Sequence, residues 1–291
     1  MQIKYFQTAW NDIKNSPGWF GKMCLLALVN FIPIFGQIVT YGYLYGWARE
    51  IAWGVHQPMK ASIFSNEDGK FWRRGWFLFV IAFVFTLVPS IVVAIGTSMQ
   101  GTSMYAALYG IGSNQTAATA AGTTSALVGS LIYLVGLVLS LFISILMWVA
   151  FMRSAIYDCL SPGFQIGTIW KMFRKDTGGL MRIFGMNLLT GLIVGAVFGV
   201  VITIIVLAFV AAGAGAGLSN SSSSAALIVS LGGFGTLLIL AATFFLMVAV
   251  AIIEALVARA VGYWTMQFDV PNWRGQDDPL PFEQAPTYPA Q

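Results

Sequence analysis

Residues 183–253 read IFGMNLLTGLIVGAVFGVVITIIVLAFVAAGAGAGLSNSSSSAALIVSLGGFGTLLILAATFFLMVAVAII, and none of them is Lys, Arg, Asp or Glu. The stretch divides at a Gly-, Ala- and Ser-rich middle, residues 213–224, into two apolar arms. Each arm exceeds the roughly 20 residues that span a hydrocarbon core. Two long apolar arms joined by a neutral connection predict a helical hairpin in a bilayer.

Working outward, two further stretches carry no charge: Met23 to Ala48 and Gly75 to Met152. Every ionised residue falls in the segments between and around the three. Only 9% of the chain is charged and 58% is hydrophobic, whereas a soluble domain carries about a quarter charged residues. The expected class is an all-α integral membrane protein with six transmembrane helices in three hairpins. The first pair is Trp19–Pro33 and Ile38–Gly54, broken at Pro33 and Gly36. Its first arm is barely long enough to cross. The second pair is Gly75–Thr97 and Ser125–Met152, joined by neutral residues 101–124. The third is Ile183–Ala212 and Ala225–Tyr263.

The cations mark one side. Lys4, Lys14 and Lys22 precede the first hairpin, and Arg49, Lys60, Lys70, Arg73 and Arg74 follow it. Arg153, Lys171, Arg174, Lys175 and Arg182 follow the second, and Arg259 and Arg274 the third. The positive-inside rule therefore places both termini in the cytoplasm. A net charge of +4 gathered on that face suits an anionic inner leaflet. No dense basic patch forms, which argues against nucleic-acid binding.

Three regions follow: an N-terminal amphipathic helix (1–17), a membrane domain (18–263) and a tail (264–291). Ile3, Phe6, Trp10 and Ile13 share one helical face, and so do Ile166, Ile169, Trp170 and Phe173. Each set suits a cytoplasmic helix lying in the interface, or one packed on the protein itself. In the tail, Pro271, Pro279, Pro281, Pro286 and Pro289 alternate with Asp277, Asp278 and Glu283. That composition predicts disorder.

Each exit helix ends in Arg with an aromatic four residues on: Arg49/Trp53, Arg153/Tyr157 and Arg259/Tyr263. Pro58 and Pro162 follow two of these arginines by nine residues. The pattern fits either ordinary boundary chemistry, since rings and long cations favour the headgroup layer, or a triplicated unit.

Two constellations are candidates for function. Asn187, Gly191, Gly195, Gly199 and Thr203 recur every four residues, a small and polar stripe that suits close helix packing or lines a pathway. Gly42 and Gly46 make a shorter version, and Pro89 predicts a kink. Glu254 lies inside an apolar run, where a carboxylate needs a partner or water. It is expected to pair with Arg259, Arg153 or Arg49, or to serve a proton- or cation-linked site. Glu50 beside Arg49 and Asp158 near Arg153 extend this into one cytoplasmic-side polar cluster, the candidate small-ligand site.

Signatures of catalysis are missing. His56 is the only histidine, which excludes a multi-histidine metal centre within the chain. There is no Walker loop, no G-x-S-x-G and no H-E-x-x-H. No cofactor is expected, and Cys24 and Cys159 are expected to stay unpaired. Asn114 and Asn220 stand in glycosylation-type triplets.

The run Asn30-Phe31-Ile32-Pro33-Ile34-Phe35-Gly36-Gln37-Ile38-Val39, then Gly42-Tyr43, Arg49 and Gly54, resembles the opening of a bacterial family of polytopic membrane proteins, the domain of unknown function 4013. The basic segment around Ile169-Trp170-Lys171 before a helix pair is similar too. The family pattern continues after Gly54 with a Leu-Pro-acidic element, where this chain has Gln57-Pro58-Met59-Lys60. The resemblance implies a bacterial inner-membrane location and transfers no catalytic residues. The expected function is a non-enzymatic accessory or scaffold subunit that binds a membrane partner or a second copy. The alternative is a small transporter for a lipid-like or amphipathic solute.

Overall fold

The computed structural model describes residues 4–109, 115–217 and 222–283, with side chains described outside 102–122 and 209–234. Eight α-helices follow one another among these residues: α1 (Tyr5–Lys14), α2 (Trp19–Val29), α3 (Phe35–Ala52), α4 (Phe71–Tyr109), α5 (Gln115–Tyr157), α6 (Ile166–Lys175), α7 (Thr177–Gly217) and α8 (Ser222–Met266). Single 3-10 turns cover Ser161–Phe164, Val270–Asn272 and Pro281–Glu283. No strand occurs among the described residues.

Four helices are long and apolar enough to cross a membrane, over Phe71–Gly101, Thr123–Tyr157, Thr177–Ala208 and Gly235–Met266. These four mark a membrane protein. The first expected hairpin differs in kind. α2 has 11 residues, about 16 Å of helix at 1.5 Å per residue, roughly half of a hydrocarbon core. α3 is mostly buried in protein, and its Tyr41, Tyr43, Tyr45, Trp47, Arg49 and Glu50 make it a protein-facing helix.

The chain forms two compact units, residues 1–75 with 177–291 and residues 76–176. In the first unit, α1, α2 and α3 pack on α8, which also pairs with α7. Close approach of α3 and α8 depends on Gly262, where an added Cβ would stand 2.5 Å from the Ala48 carbonyl oxygen. The turn between α2 and α3 is tight for the same reason: a Cβ on Gly36 would meet the Asn30 Cα at 2.5 Å. Gly42 lets α3 lie against the first turn of α4, with the Phe71 carbonyl 2.9 Å from a Cβ position.

In the second unit, α4 and α5 approach through Gly96, Gly129 and Gly136, each with α-helical backbone or side-chain atoms within 3.0 Å of its Cβ position. α4 runs through Pro89 without ending, and the Thr86 hydroxyl donates to the Ala82 carbonyl one turn before it. α6 folds back along α5, with Trp170 stacked on Phe173 at 5.1 Å and both rings against Phe142.

Three expectations need adjustment. The neutral connections are shorter than read: α4 continues to Tyr109 and α5 begins at Gln115, while α7 continues to Gly217 and α8 begins at Ser222. The parts that extend α4 and α5 contain no proline and are Ala-rich, which favours helix. The glycosylation-type triplets at Asn114 and Asn220 have residues outside the described ones. α1 turns a different face inward: Tyr5, Ala9 and Ile13 are buried while Phe6 is 48% exposed. Small Ala9 permits closer packing than the bulky Phe6 side would. The tail is ordered as far as residue 283, because apolar residues among the prolines are covered: Trp264 and Val270 are fully buried, and Phe268, Trp273 and Leu280 nearly so. Residues 284–291 of the expected disordered tail lie outside the described residues.

Candidate functional site

The polar side chains of the first unit converge on the segment that follows α3. Gln57 to Lys60 form an irregular strap with main-chain groups that cannot bond within a helix, and buried side chains from α2, α3 and α8 and from the α1–α2 turn satisfy them. The Trp47 indole N–H donates to the Gln57 carbonyl at 2.9 Å, and the Tyr43 hydroxyl to the Lys60 carbonyl at 2.9 Å. Lys22 Nζ donates to the Met59 carbonyl at 3.1 Å, and the Met59 N–H donates to Ser16 Oγ at 2.9 Å. Burying such groups unbonded would be costly, so the strap and its donors are held together as one object.

Arg259 of α8 completes it. Its side chain is 1% exposed. Nε donates to Asp12 Oδ2 at 2.6 Å, Nη1 to the Trp47 carbonyl at 3.1 Å and Nη2 to the Gln57 carbonyl at 3.5 Å. The guanidinium lies 4.2 Å from the Trp47 ring centroid and 5.6 Å from that of Tyr263. The Tyr263 hydroxyl also donates to Asp12 Oδ2, at 2.7 Å. The carboxylate partner of Arg259 is thus Asp12 of α1, where Glu254 was one of the expected choices. Residues 254 and 259 are five apart on one helix, and side chains meet at spacings of three or four.

A second clasp joins the end of α3 to the start of α4. Asp68 Oδ2 lies 2.6 Å from Arg74 Nη2 and 3.7 Å from Arg49 Nη2. Gly46 leaves room for the Arg74 guanidinium, with Nη1 only 2.8 Å from where its Cβ would stand. Burial by itself raises the Asp68 carboxyl, but the bond and charge of Arg74, the Lys70 N–H and the charge of Arg49 outweigh it and pull the group down to about 2.

The candidate cluster is distributed as follows. Arg259, Arg49, Glu50 and Glu254 belong to the first unit. Glu50 feels the charges of Lys60, Arg259, Arg49 and Arg74. The charge of Glu254 is felt at the Tyr41 and Tyr45 phenols of α3. Arg153 and Asp158 belong to the second unit. There Arg153 Nε donates to the Pro162 carbonyl at 3.3 Å and its guanidinium lies 5.8 Å from the Tyr157 ring centroid. The Arg-to-aromatic spacing therefore has the same geometry at Arg153/Tyr157 and Arg259/Tyr263. Asp12 and Asp68 are the carboxylates that the sequence reading did not single out.

A cavity of about 800 Å³ opens beside the strap. Gly18, Gly21, Lys22 and Leu25 form one wall, Pro58 to Ile63 another, and Glu50 and Glu67 stand at its edge. Gly18 and Gly21 widen it, since a Cβ on either would meet nothing within 4 Å. No group of three or more metal-ligating side chains occurs among the described residues.

The stripe on α7 is open. Among the described residues, a Cβ added at Gly191, Gly195 or Gly199 would meet nothing within 4 Å. Thr203 spends its hydroxyl on the Gly199 carbonyl at 2.7 Å. Asn187 is half-buried.

The chain matches the model of a family described as a protein of unknown function, DUF4013, over residues 25–202, more than half its length, and it belongs to that family. The match runs from within α2 to within α7, so it includes Trp47, the strap and Asp68 but not Asp12 or Arg259. No curated protein and no solved structure matches the chain.

Proposed function

We propose that this chain is a non-enzymatic, multi-pass protein of a bacterial inner membrane that acts by binding another membrane protein, as an accessory or scaffold subunit. The observation that carries the reading is the contrast between two sets of glycines. Gly96, Gly129 and Gly136 are filled by a neighbouring helix, whereas Gly191, Gly195 and Gly199 meet nothing. Lipid chains gain nothing from a groove of missing side chains. A helix backbone does, because small residues let it approach closely enough for extensive van der Waals contact. The occupant is a transmembrane helix seated along α7.

The cation distribution supports an orientation with both termini in the cytoplasm. α1 and α6 then lie at the cytoplasmic face, and α2 with α3 enters the membrane from that face. The turn residues Phe31, Ile32, Ile34 and Phe35, each 39–54% exposed, favour contact with acyl chains over water. Six helices in three hairpins remain the proposed plan, with the first hairpin the shallow one.

Oxidative cross-linking of Ala196→Cys in native membranes tests the docking face. The reading expects an adduct that is lost in Gly191→Leu and Gly199→Leu and kept in Leu192→Ala. A chain that yields no adduct, or one indifferent to the glycines, overturns it.

A second reading, a carrier for an amphipathic solute, is supported by the ionisable Glu254 inside the apolar helix α8. It requires a flux in vesicles that Glu254→Gln abolishes.

A further inference from the structure

The first turn of α2 opens onto the cavity beside the strap. Pro17, Gly18, Gly21 and Lys22 are part of the cavity wall. Gly18 stands at the N-cap with a φ of 65° and offers no side chain to cap the helix. The Phe20 and Gly21 N–H groups of that turn meet no carbonyl among the described residues. A helix start in this state carries a partial positive charge and open donors, the elements of an anion site. A Cβ on Gly18 or Gly21 would meet nothing within 4 Å, so there is room for an acceptor beside them. Lys22 adds a full charge at the same place. It is 9% exposed, and its one bond goes to the neutral Met59 carbonyl at 3.1 Å, which leaves two of its three N–H donors. The carboxylates nearby are balanced by other cations. Asp12 holds Arg259, Asp68 is shared by Arg74 and Arg49, and Glu67 Oε2 lies 3.6 Å from Lys60 Nζ. Glu50 feels the charges of Lys60, Arg259, Arg49 and Arg74. The charge left over is that of Lys22. A buried cation is stabilised by an opposite charge, so the helix start and Lys22 together suit an acceptor with one negative charge.

The outer face of α2 describes the rest of the ligand. Gly18, Gly21, Leu25 and Leu28 follow one another at spacings of three and four, and so share one side of the helix. The two leucines are 42% and 53% exposed, and exposed Phe31 and Ile32 continue beyond them. An apolar path therefore leads away from the helix start. A free phosphate would use the donors and leave that path bare, whereas a phospholipid covers both. We propose that the start of α2 seats the phosphodiester of an anionic phospholipid, with its oxygens on the Phe20 and Gly21 N–H groups and on Lys22 Nζ, and its acyl chains along Leu25 and Leu28. A zwitterionic lipid brings its own cation and leaves the charge of Lys22 unbalanced.

The full chain, purified in detergent, is equilibrated with equal amounts of phosphatidylglycerol and phosphatidylcholine, and retained lipid is counted by native mass spectrometry. Retention of phosphatidylglycerol is expected to exceed that of phosphatidylcholine by about tenfold, the ratio that about 1.4 kcal/mol produces. Lys22→Met removes the charge, and Gly21→Leu fills the space in front of the helix start. Each is expected to remove the preference, and thermal unfolding shows that the variant keeps its fold. A phosphatidylglycerol with a diazirine in its acyl chain is expected to label α2 of the unaltered chain at Leu25 or Leu28, a readout that needs no variant. Equal retention of the two lipids, a preference that survives either substitution in a folded protein, or label confined to other helices overturns the proposal. Displacement of the lipid by equimolar glycerophosphoglycerol also overturns it, and assigns the site to a soluble phosphodiester.

Discussion

Asp12 and Arg259 stand 247 residues apart in the chain, and 2.6 Å separates the carboxylate Oδ2 from the guanidinium Nε. The pair ties the first helix to the last. It also fixes the strap, because the same guanidinium bonds the Trp47 and Gln57 carbonyls. Removing Arg259 takes its bonds from both carbonyls and its charge from Asp12, which leaves Gln57 the Trp47 indole and Asp12 the Tyr263 hydroxyl. Arg259→Met is expected to destabilise the protein by roughly 3 kcal/mol, the range for breaking a buried pair. Asp12→Asn leaves the 1%-exposed guanidinium without its counter-charge, so it too is expected to cost roughly 3 kcal/mol. Thermal or denaturant unfolding in detergent reads both. A change of less than about 0.5 kcal/mol in either variant contradicts the assignment.

Asp68 makes stability depend on acid. Its folded pKa is depressed to about 2, below the ordinary value near 3.8. The unfolded chain therefore takes up the proton first as pH falls. The contribution is complete above about pH 4 and disappears as pH falls through 2. The melting temperature between pH 4 and pH 2 is expected to fall less steeply in Asp68→Asn than in the parent chain. Parallel slopes would show that the carboxylate has no such role.

The glycines separate packing from docking. Gly129→Leu drives a side chain into Gly96 and Met99, both 2.9 Å from the Cβ position, and is expected to destabilise by several kcal/mol as overpacking does. Gly195→Leu meets open space and is expected to leave the stability within about 0.5 kcal/mol of the parent, as surface changes do, while the stripe-dependent cross-link disappears. A large loss of stability in Gly195→Leu would mean that α7 already has a neighbour.

Orientation is testable at two positions on opposite ends of α4. Ser65→Cys, before its first turn, is expected to react with a membrane-impermeant maleimide only after the cells are opened. Ser98→Cys, seven turns along, is expected to react from outside. Reversal of the two would invert the proposed topology.

Much of the fold can be read from charge alone. The apolar stretches of α4, α5, α7 and α8 are free of ionised residues because nothing in lipid compensates a charge. α3 misleads for the same reason: it is charge-free as far as Ala48, yet its Tyr43 and Trp47 bond the strap and most of its surface is buried in protein. Hydropathy cannot distinguish lipid from protein as a neighbour. The tail was read from its prolines, while Trp264, Phe268, Val270 and Trp273 carry the packing. The partners of Arg259 and Arg74 were not legible, since Asp12 and Asp68 lie on segments with positions in space that follow from the fold. One signal was available. The five-residue spacing of Glu254 and Arg259 already argued against their pairing.

The strap from Gln57 to Lys60 is recognised through its peptide groups. Trp47, Tyr43, Lys22 and Arg259 bond its carbonyls, and Ser16 accepts from its amide. Those bonds are indifferent to which side chains the segment carries. Substitution at 57 or 60 therefore changes the face presented to the adjoining cavity while the bonds that fix the path of the chain are kept. The architecture separates what holds the loop from what the loop presents.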